Sequence, residues 1–366
     1  MKILHIIGSL AGGGAERLVT QLAIIMSDYE HTCDVLALTD TNAVYLNHLR
    51  ENNVFVQISP YKNRFDIRIL LLIKKIITQG QYCIVHSHTF PATYWTSLAA
   101  HCFKNKIKFI MTEHNTFNRR RSFPWLRMLE KYIYRKYDIV ISISEEVRQA
   151  LLNWVTPKET QKYLTIVNGI DIKSFKEAIS LTRDELGVPA EAFLIGMVGS
   201  LTAQKNHKAL IHAIAILPKN VHAIIAGEGP LLRKTIALSE DLGIDERVHF
   251  LGFRCDIERV IKAVDIVVIP SLWEGFGLVA VEAMACGKPI AASNVTGLRE
   301  VIGDSGILFA PDDYNDIARS ILSIMSDKEL FSSYAKKAQI RAEKFGIKKM
   351  VLEYMCVYSR IVGESE

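Results

Sequence analysis

Short β-branched runs alternate with amphipathic stretches along the whole chain, and this alternation most restricts what it can fold into. Residues 3–7, 33–38, 54–58, 83–86, 109–112 and 139–143 have the length and the Val/Ile content of buried strands. Between them, residues 15–26, 67–77, 92–102 and 125–135 place apolar side chains at helical spacing. A second series follows. Residues 194–198, 221–226, 248–251, 266–269, 290–292 and 307–309 read as strands, and 208–217, 230–241, 257–262, 278–285, 313–325 and 329–344 as helices. A strand that returns parallel through a helix is buried on both faces. Apolar runs in this order therefore predict an α/β fold of parallel sheets covered by helices. A chain of 366 residues is long for one core and comfortable for two. The polar stretch 171–190, preceded by the turn-forming pair Asn168-Gly169, separates the series. The expected domains are 1–168 and 169–345, both doubly wound and facing each other across a cleft. Residues 346–366 read as an amphipathic helix packing back on the first domain.

Composition excludes several classes. Apolar residues make up 49% of the chain, too many for a disordered protein. No run of 18 or more apolar residues exists, so no transmembrane helix is expected. The apolar N-terminus lacks a signal-peptide cleavage site. Six scattered cysteines without a CxxC pair suit reduced thiols in a cytoplasmic protein. The net charge of +5 is concentrated. Residues 104–136 hold ten basic side chains against Glu113 and Glu130, which leaves the remainder slightly acidic. Within this stretch Arg119, Arg120, Arg121 and Arg127 are interleaved with Phe123, Trp125, Leu126 and Met128. That mixture suits the surface of an anionic membrane, and so a peripheral position at the inner face of the plasma membrane. A solvated basic face over a packed apolar side has the same composition. No nucleic-acid motif is present, and none is expected to bind.

The residues able to carry chemistry fall at strand ends, where a doubly wound sheet binds ligands. Gly8 to Gly14, with three consecutive glycines, join the first strand to a helix and can bring backbone amides to an anion. The spacing is not that of a dinucleotide fingerprint. His86-Ser87-His88 follow the fourth strand and Glu113-His114 the fifth. His88 and His114 are candidates for substrate contact and His86 for a structural part. No third ligand with convincing spacing accompanies the two histidines, so no metal is expected. In the second series, Gly199 to Asn206, with Lys205, connect a strand to a helix, and Gly227-Glu228-Gly229 and Gly252-Phe253-Arg254 end the next two. Glu274 and Glu282 then bracket Gly275-Phe276-Gly277-Leu278. Eight helical steps of about 100° leave the two carboxylates about 80° out of line. The pair is better read as one loop glutamate and one helix glutamate beside an anion-binding helix start.

In this order the motifs resemble the GT-B glycosyltransferases, specifically the large retaining family often called GT4, and the resemblance spans nearly the whole chain. It includes Val167-Asn168-Gly169-Ile170-Asp171 and the E-x7-E spacing of Glu274 and Glu282. It implies two Rossmann-like domains and transfer of a sugar from a nucleotide diphosphate to an acceptor hydroxyl. Gly13 and Gly14 would approach the diphosphate from the first domain, and Lys205 would neutralise it from the second. Amides at Phe276, Gly277 and Leu278 would contact phosphate. Glu274 would hold donor-sugar hydroxyls, Glu282 the ribose hydroxyls, and Arg254 would border the base. Ser200, Gly227, Glu228 and Gly275 complete the expected donor site. His114, Lys205 and Glu274 would be catalytic. His88, Arg119, Arg120 and Arg121 would lie on the acceptor or membrane side. The family often has arginine where this chain has Ser200, so Lys205 stands alone in its motif. The implied reaction retains configuration and uses no cofactor or metal, in keeping with the lack of an Asp-x-Asp motif. UDP-hexose or UDP-N-acetylhexosamine is the favoured donor and a polyprenyl-diphosphate-linked saccharide the favoured acceptor. A GT-B-fold sugar-nucleotide epimerase and a non-catalytic nucleotide-sugar or nucleic-acid binder are the competing readings.

Overall fold

The structure, a computed structural model, describes residues 1–41, 43–103 and 107–363, with Arg119 described by its backbone alone. It divides into two compact units. Unit 1 comprises Met1–Asn168 and Ile347–Glu366, and unit 2 comprises Gly169–Gly346.

Unit 1 alternates β1 (Lys2–Ile7), α1 (Gly14–Asp28), β2 (Thr32–Ala37), α2 (Leu46–Glu51), β3 (Phe55–Ile58), α3 (Arg68–Gly80), β4 (Ile84–His88), α4 (Ala92–Ala100), β5 (Lys108–Glu113), α5 (Leu126–Arg135), β6 (Ile139–Ser142), α6 (Glu145–Val155) and β7 (Tyr163–Thr165). Among the described residues its seven strands form one sheet, ordered β3-β2-β1-β4-β5-β6-β7. Every pair is parallel. Strand order reverses beside β1, so the loops after β1 and β4 part there and leave a crevice.

Alternate residues of β1 serve two cores. Ile3 and Ile7 pack with Leu18 and Leu22 of α1 and with Met350 and Tyr354. Leu4 and Ile6 pack with Ile69, Ile73 and Ile77 of α3 and with Tyr134 and Tyr137. This period of two sends His5, His86, His88 and Thr112 to one face and Ser87 and Glu113 to the other.

Unit 2 begins with α7 (Ile172–Lys176) and continues with β8 (Phe193–Val198), α8 (His207–Ile216), β9 (Val221–Ala226), α9 (Leu232–Asp241), β10 (Val248–Gly252), α10 (Ile257–Ala263), β11 (Ile266–Ile269), α11 (Leu278–Ala285), β12 (Ile290–Ser293), α12 (Thr296–Ile302), β13 (Ile307–Phe309), α13 (Tyr314–Ser326) and α14 (Lys328–Ala342). Its six described strands form a second parallel sheet, ordered β10-β9-β8-β11-β12-β13, with the reversal beside β8. The chain then returns to unit 1 as α15 (Ile347–Val362). Tyr354 and Tyr358 of α15 are fully buried against the first sheet. Two parallel-sheet, doubly wound α/β domains are therefore present. Among the described residues, no helix is long and apolar enough to cross a membrane.

Candidate active site

The polar residues singled out from the sequence gather at the strand ends of each sheet, and each unit carries its own group.

In unit 2 the loops after β8 and β11 are stapled together. Leu272 N donates to Gln204 O at 2.8 Å, and Gln204 Nε2 donates to Trp273 O at 2.9 Å. These bonds set Lys205, at the end of a 3-10 turn, against Glu274, and the two form an ion pair between a half-buried ammonium and a buried carboxylate. Ser271 Oγ donates to the same Glu274 oxygen at 2.8 Å. Gly227 has φ 150°, and a Cβ there would lie 2.0 Å from Gly199 O, so only glycine lets the two loops meet. Gly277, at φ 90°, turns the chain into α11 and leaves the first amides of that helix facing outward from the strand ends. Glu282 is buried on α11, and Phe276 is buried with its ring edge-on to Phe345, so only its backbone is available to a ligand. Ser200 and Glu228 lie on the exposed lip, where Leu201 N donates to Glu228 O at 2.9 Å. Arg254 is held by two hydrogen bonds to Asp256, at 2.8 and 2.7 Å. His207, the first residue of α8, was missed by sequence reasoning. It is 2% exposed, and neither ring nitrogen has a partner among the described residues. Burial, then the Lys205 cation, lowers its pKa to about 4.

In unit 1, α1 begins at Gly14 with Gly13 as its N-cap. The Glu16 carboxylate folds back over this turn, so that a Cβ on Gly13 would meet Glu16 Oε2 at 2.3 Å. Burial raises the Glu16 pKa. The register of β1 on β4 sets His5 opposite His86. His5 Nδ1 and His88 Nε2 are 3.2 Å apart. His86 is held by the Thr112 and Tyr358 hydroxyls. One ring nitrogen from each of His5, His86 and His88 lies within 4.8 Å of the others, so the structure supplies the third histidine that no sequence spacing showed. Burial keeps all three neutral, lowering His5 to about 4 and the other two well below the usual range.

His114 lies 5.8 Å from His88 between ring centroids and is lowered to about 4 by burial. It lines a cavity of about 40 Å³ with Thr89, Phe90, Thr93, Asn118 and Arg120. Among the described residues, His114 Nε2 and Asn118 Nδ2 are buried there without partners. Asn118 was not anticipated, because its place beside the cavity follows from the fold of residues 115–122. Glu113 accepts from Arg121 at 3.2 Å and from Tyr134 at 2.8 Å, while Arg120 Nε donates to Glu130 at 2.9 Å. Lys104 and Lys106 lie outside the described residues, as does the side chain of Arg119.

Two family models match the chain. The one described as Glycosyltransferase Family 4 matches residues 12–174, and the one described as Glycosyl transferases group 1 matches residues 179–341. The chain is similar to HepE of Anabaena, solved in complex with UDP and glucose, with a TM-score of 0.87 and 26% identity over 98% of this chain and all of that one. The chain is a GT-B glycosyltransferase. Among its relatives is the N-acetyl-alpha-D-glucosaminyl L-malate synthase of Bacillus anthracis, 26% identical over 88% of this chain and 86% of the relative. Another is the N-acetylgalactosamine-N,N'-diacetylbacillosaminyl-diphospho-undecaprenol 4-alpha-N-acetylgalactosaminyltransferase of Campylobacter jejuni, 25% identical over 94% of this chain and 95% of the relative. In this glycosyltransferase the two described groups thus belong to separate domains, one built on β8 and β11 and the other on β1, β4 and β5.

Proposed function

We propose that this glycosyltransferase moves a hexose or N-acetylhexosamine from UDP to a hydroxyl of a lipid-linked saccharide, with retention and without a metal. The observation that carries the reading is the half-buried Lys205–Glu274 pair at the reversal point of the second sheet. A cation and a carboxylate held together there suit the two ends of a nucleotide sugar. Lys205 takes the diphosphate, and Glu274, freed from it, accepts hydrogen bonds from sugar hydroxyls. The amides at Gly277 and Leu278 stabilise the charge that grows on the departing diphosphate, in a site where donors need no reorganisation. Glu282 holds the ribose. On the acceptor side, His114 lies beside the reacting sugar, and its low pKa keeps the imidazole neutral at pH 7.

A UDP donor is supported by the HepE complex, and a polyprenyl-diphosphate-linked acceptor by the name of the Campylobacter relative. Such an acceptor suits a position at the cytoplasmic face of a membrane, where the exposed basic residues of 123–136 would meet anionic lipid.

The test is nucleotide release from a panel of donors, with and without a membrane extract as acceptor. The wild type should release nucleotide only when acceptor is present. Lys205→Ala and Glu274→Ala should each slow transfer at least about a hundredfold. Near-normal rates in both variants, or an epimerised donor formed without acceptor, would overturn the reading.

A further inference from the structure

Two helices of unit 1 carry large apolar side chains on their outer sides as well as their inner ones. On α5, Glu130, Ile133 and Tyr134 face inward. Its outer stripe is Trp125, Met128, Leu129 and Tyr132, at steps of three and four. Trp125 and Met128 are each 71% exposed. On α3, Ile69, Ile73 and Ile77 face inward. The opposite stripe runs Ile67, Leu71 and Lys75, with Ile67 64% and Leu71 65% exposed and Phe65 half exposed just before it. An ordinary surface helix carries charged and polar residues on its outer side. Here large apolar groups take the outer side of α5 and of the start of α3.

Both segments are also basic. Residues 61–75 hold Lys62, Arg64, Arg68, Lys74 and Lys75 against one acid, Asp66, which is paired to Arg68 at 2.6 Å. Residues 123–136 hold Arg127, Lys131, Arg135 and Lys136 against Glu130, which is buried and paired to Arg120. The two segments are joined in space. The Phe65 ring lies 5.6 Å from Phe90, and the Arg120 guanidinium lies over Phe90 at 4.1 Å. Trp95 of α4 donates to Arg64 O at 2.9 Å. Phe90 and Arg120 line the His114 cavity, so its wall touches the first segment through Phe65 on Phe90 and the second through Arg120 on Glu130.

We propose that unit 1 docks on an anionic lipid bilayer through two arms, α3 with residues 61–67 and α5 with residues 123–125, which set the mouth of the His114 cavity at the lipid headgroups. This rests on the membrane reading above and extends it to a second arm. Apolar side chains backed by arginine and lysine, with Trp and Tyr among them, match the chemistry of the headgroup boundary. A second copy of the chain fits poorly, since it would set like charges against each other.

The experiment is flotation of the full chain with vesicles of phosphatidylcholine containing one third phosphatidylglycerol, against vesicles of phosphatidylcholine alone. The wild type should float with the anionic vesicles only and be released as salt rises. Ile67→Ser with Leu71→Ser, and separately Trp125→Ser with Met128→Ser, should each weaken partition about tenfold or more. All four positions are exposed, so an unchanged melting temperature checks that the variants fold.

Loss of flotation in the Trp125/Met128 variant with none in the Ile67/Leu71 variant would overturn the second arm and leave the membrane reading standing. No flotation of the wild type would overturn both. Self-association in sedimentation that both variants abolish, without flotation, would assign the face to a second copy and overturn the proposal.

Discussion

Burial, with no acceptor for either ring nitrogen among the described residues, and then the Lys205 cation resist protonation of His207, which is why its pKa falls from 6.5 to about 4. The folded state therefore resists a proton that the unfolded chain takes up. The resulting stability is complete above about pH 6.5 and is lost as the pH falls toward 4. His207→Leu should flatten this dependence. Denaturant unfolding measured across that window should lose one proton of uptake, about 1.4 kcal/mol per pH unit. An unchanged slope would mean that the native site accepts the proton after all. Sequence reasoning did not single out His207, because a histidine after Lys205-Asn206 has no spacing partner and its burial is a property of the tertiary fold. His5 escaped for a related reason. Its strand was evident, but its meeting with His86 depends on the β1–β4 register. Glu274 and Glu282 were visible because the glycines between them already require a turn and a helix start.

At the level of elements, one carboxylate ties three helices. Glu130 of α5 is fully buried and accepts from Arg120 Nε, from Tyr94 Oη of α4 at 2.7 Å and from Trp154 Nε1 of α6 at 2.6 Å. Removing it strands a guanidinium and two ring donors in a low-dielectric setting. Glu130→Ala should destabilise unit 1 by about 3–5 kcal/mol, read from denaturant midpoints, with Glu130→Gln costing less because an acceptor remains. A loss below about 1 kcal/mol, the range of an exposed pair, would show that water compensates the three donors. In the sequence Glu130 read only as an acid within a basic stretch. The strands were easier to read, because parallel strands buried on both faces form unbroken apolar runs. β7, with three residues, is too short to show any period, and α6 was not anticipated although Ser144 caps it through Val147 N at 3.2 Å. The reach of β4 to His88 was also underestimated, since Ser87 and His88 look like loop residues until Tyr137 and His5 satisfy them.

The whole molecule is divided so that unit 1 is completed by the end of the chain. The chain leaves unit 1 after Asn168 and re-enters it at Ile347, so the first sheet lacks part of its cover until α15 docks. On one face of that sheet, Met350, Val351, Tyr354 and Tyr358 belong to the same core as Ile3, Ile7 and Leu22. Tyr358 also supplies a hydroxyl to His86, and Tyr354 one to Thr112 at 3.3 Å. Without α15 those apolar positions meet water and His86 loses a partner, whereas unit 2 keeps all of its own core. A chain ending at Gly346 should therefore unfold in two steps. Calorimetry should show a transition for unit 2 near its original temperature and a second, much lower one for unit 1. Amide exchange should rise in β1, β4 and β5 and stay unchanged in β8, β9 and β11. Equal loss of protection in both sheets would mean that the two units fold as one cooperative body, and that the burial of α15 stabilises them together.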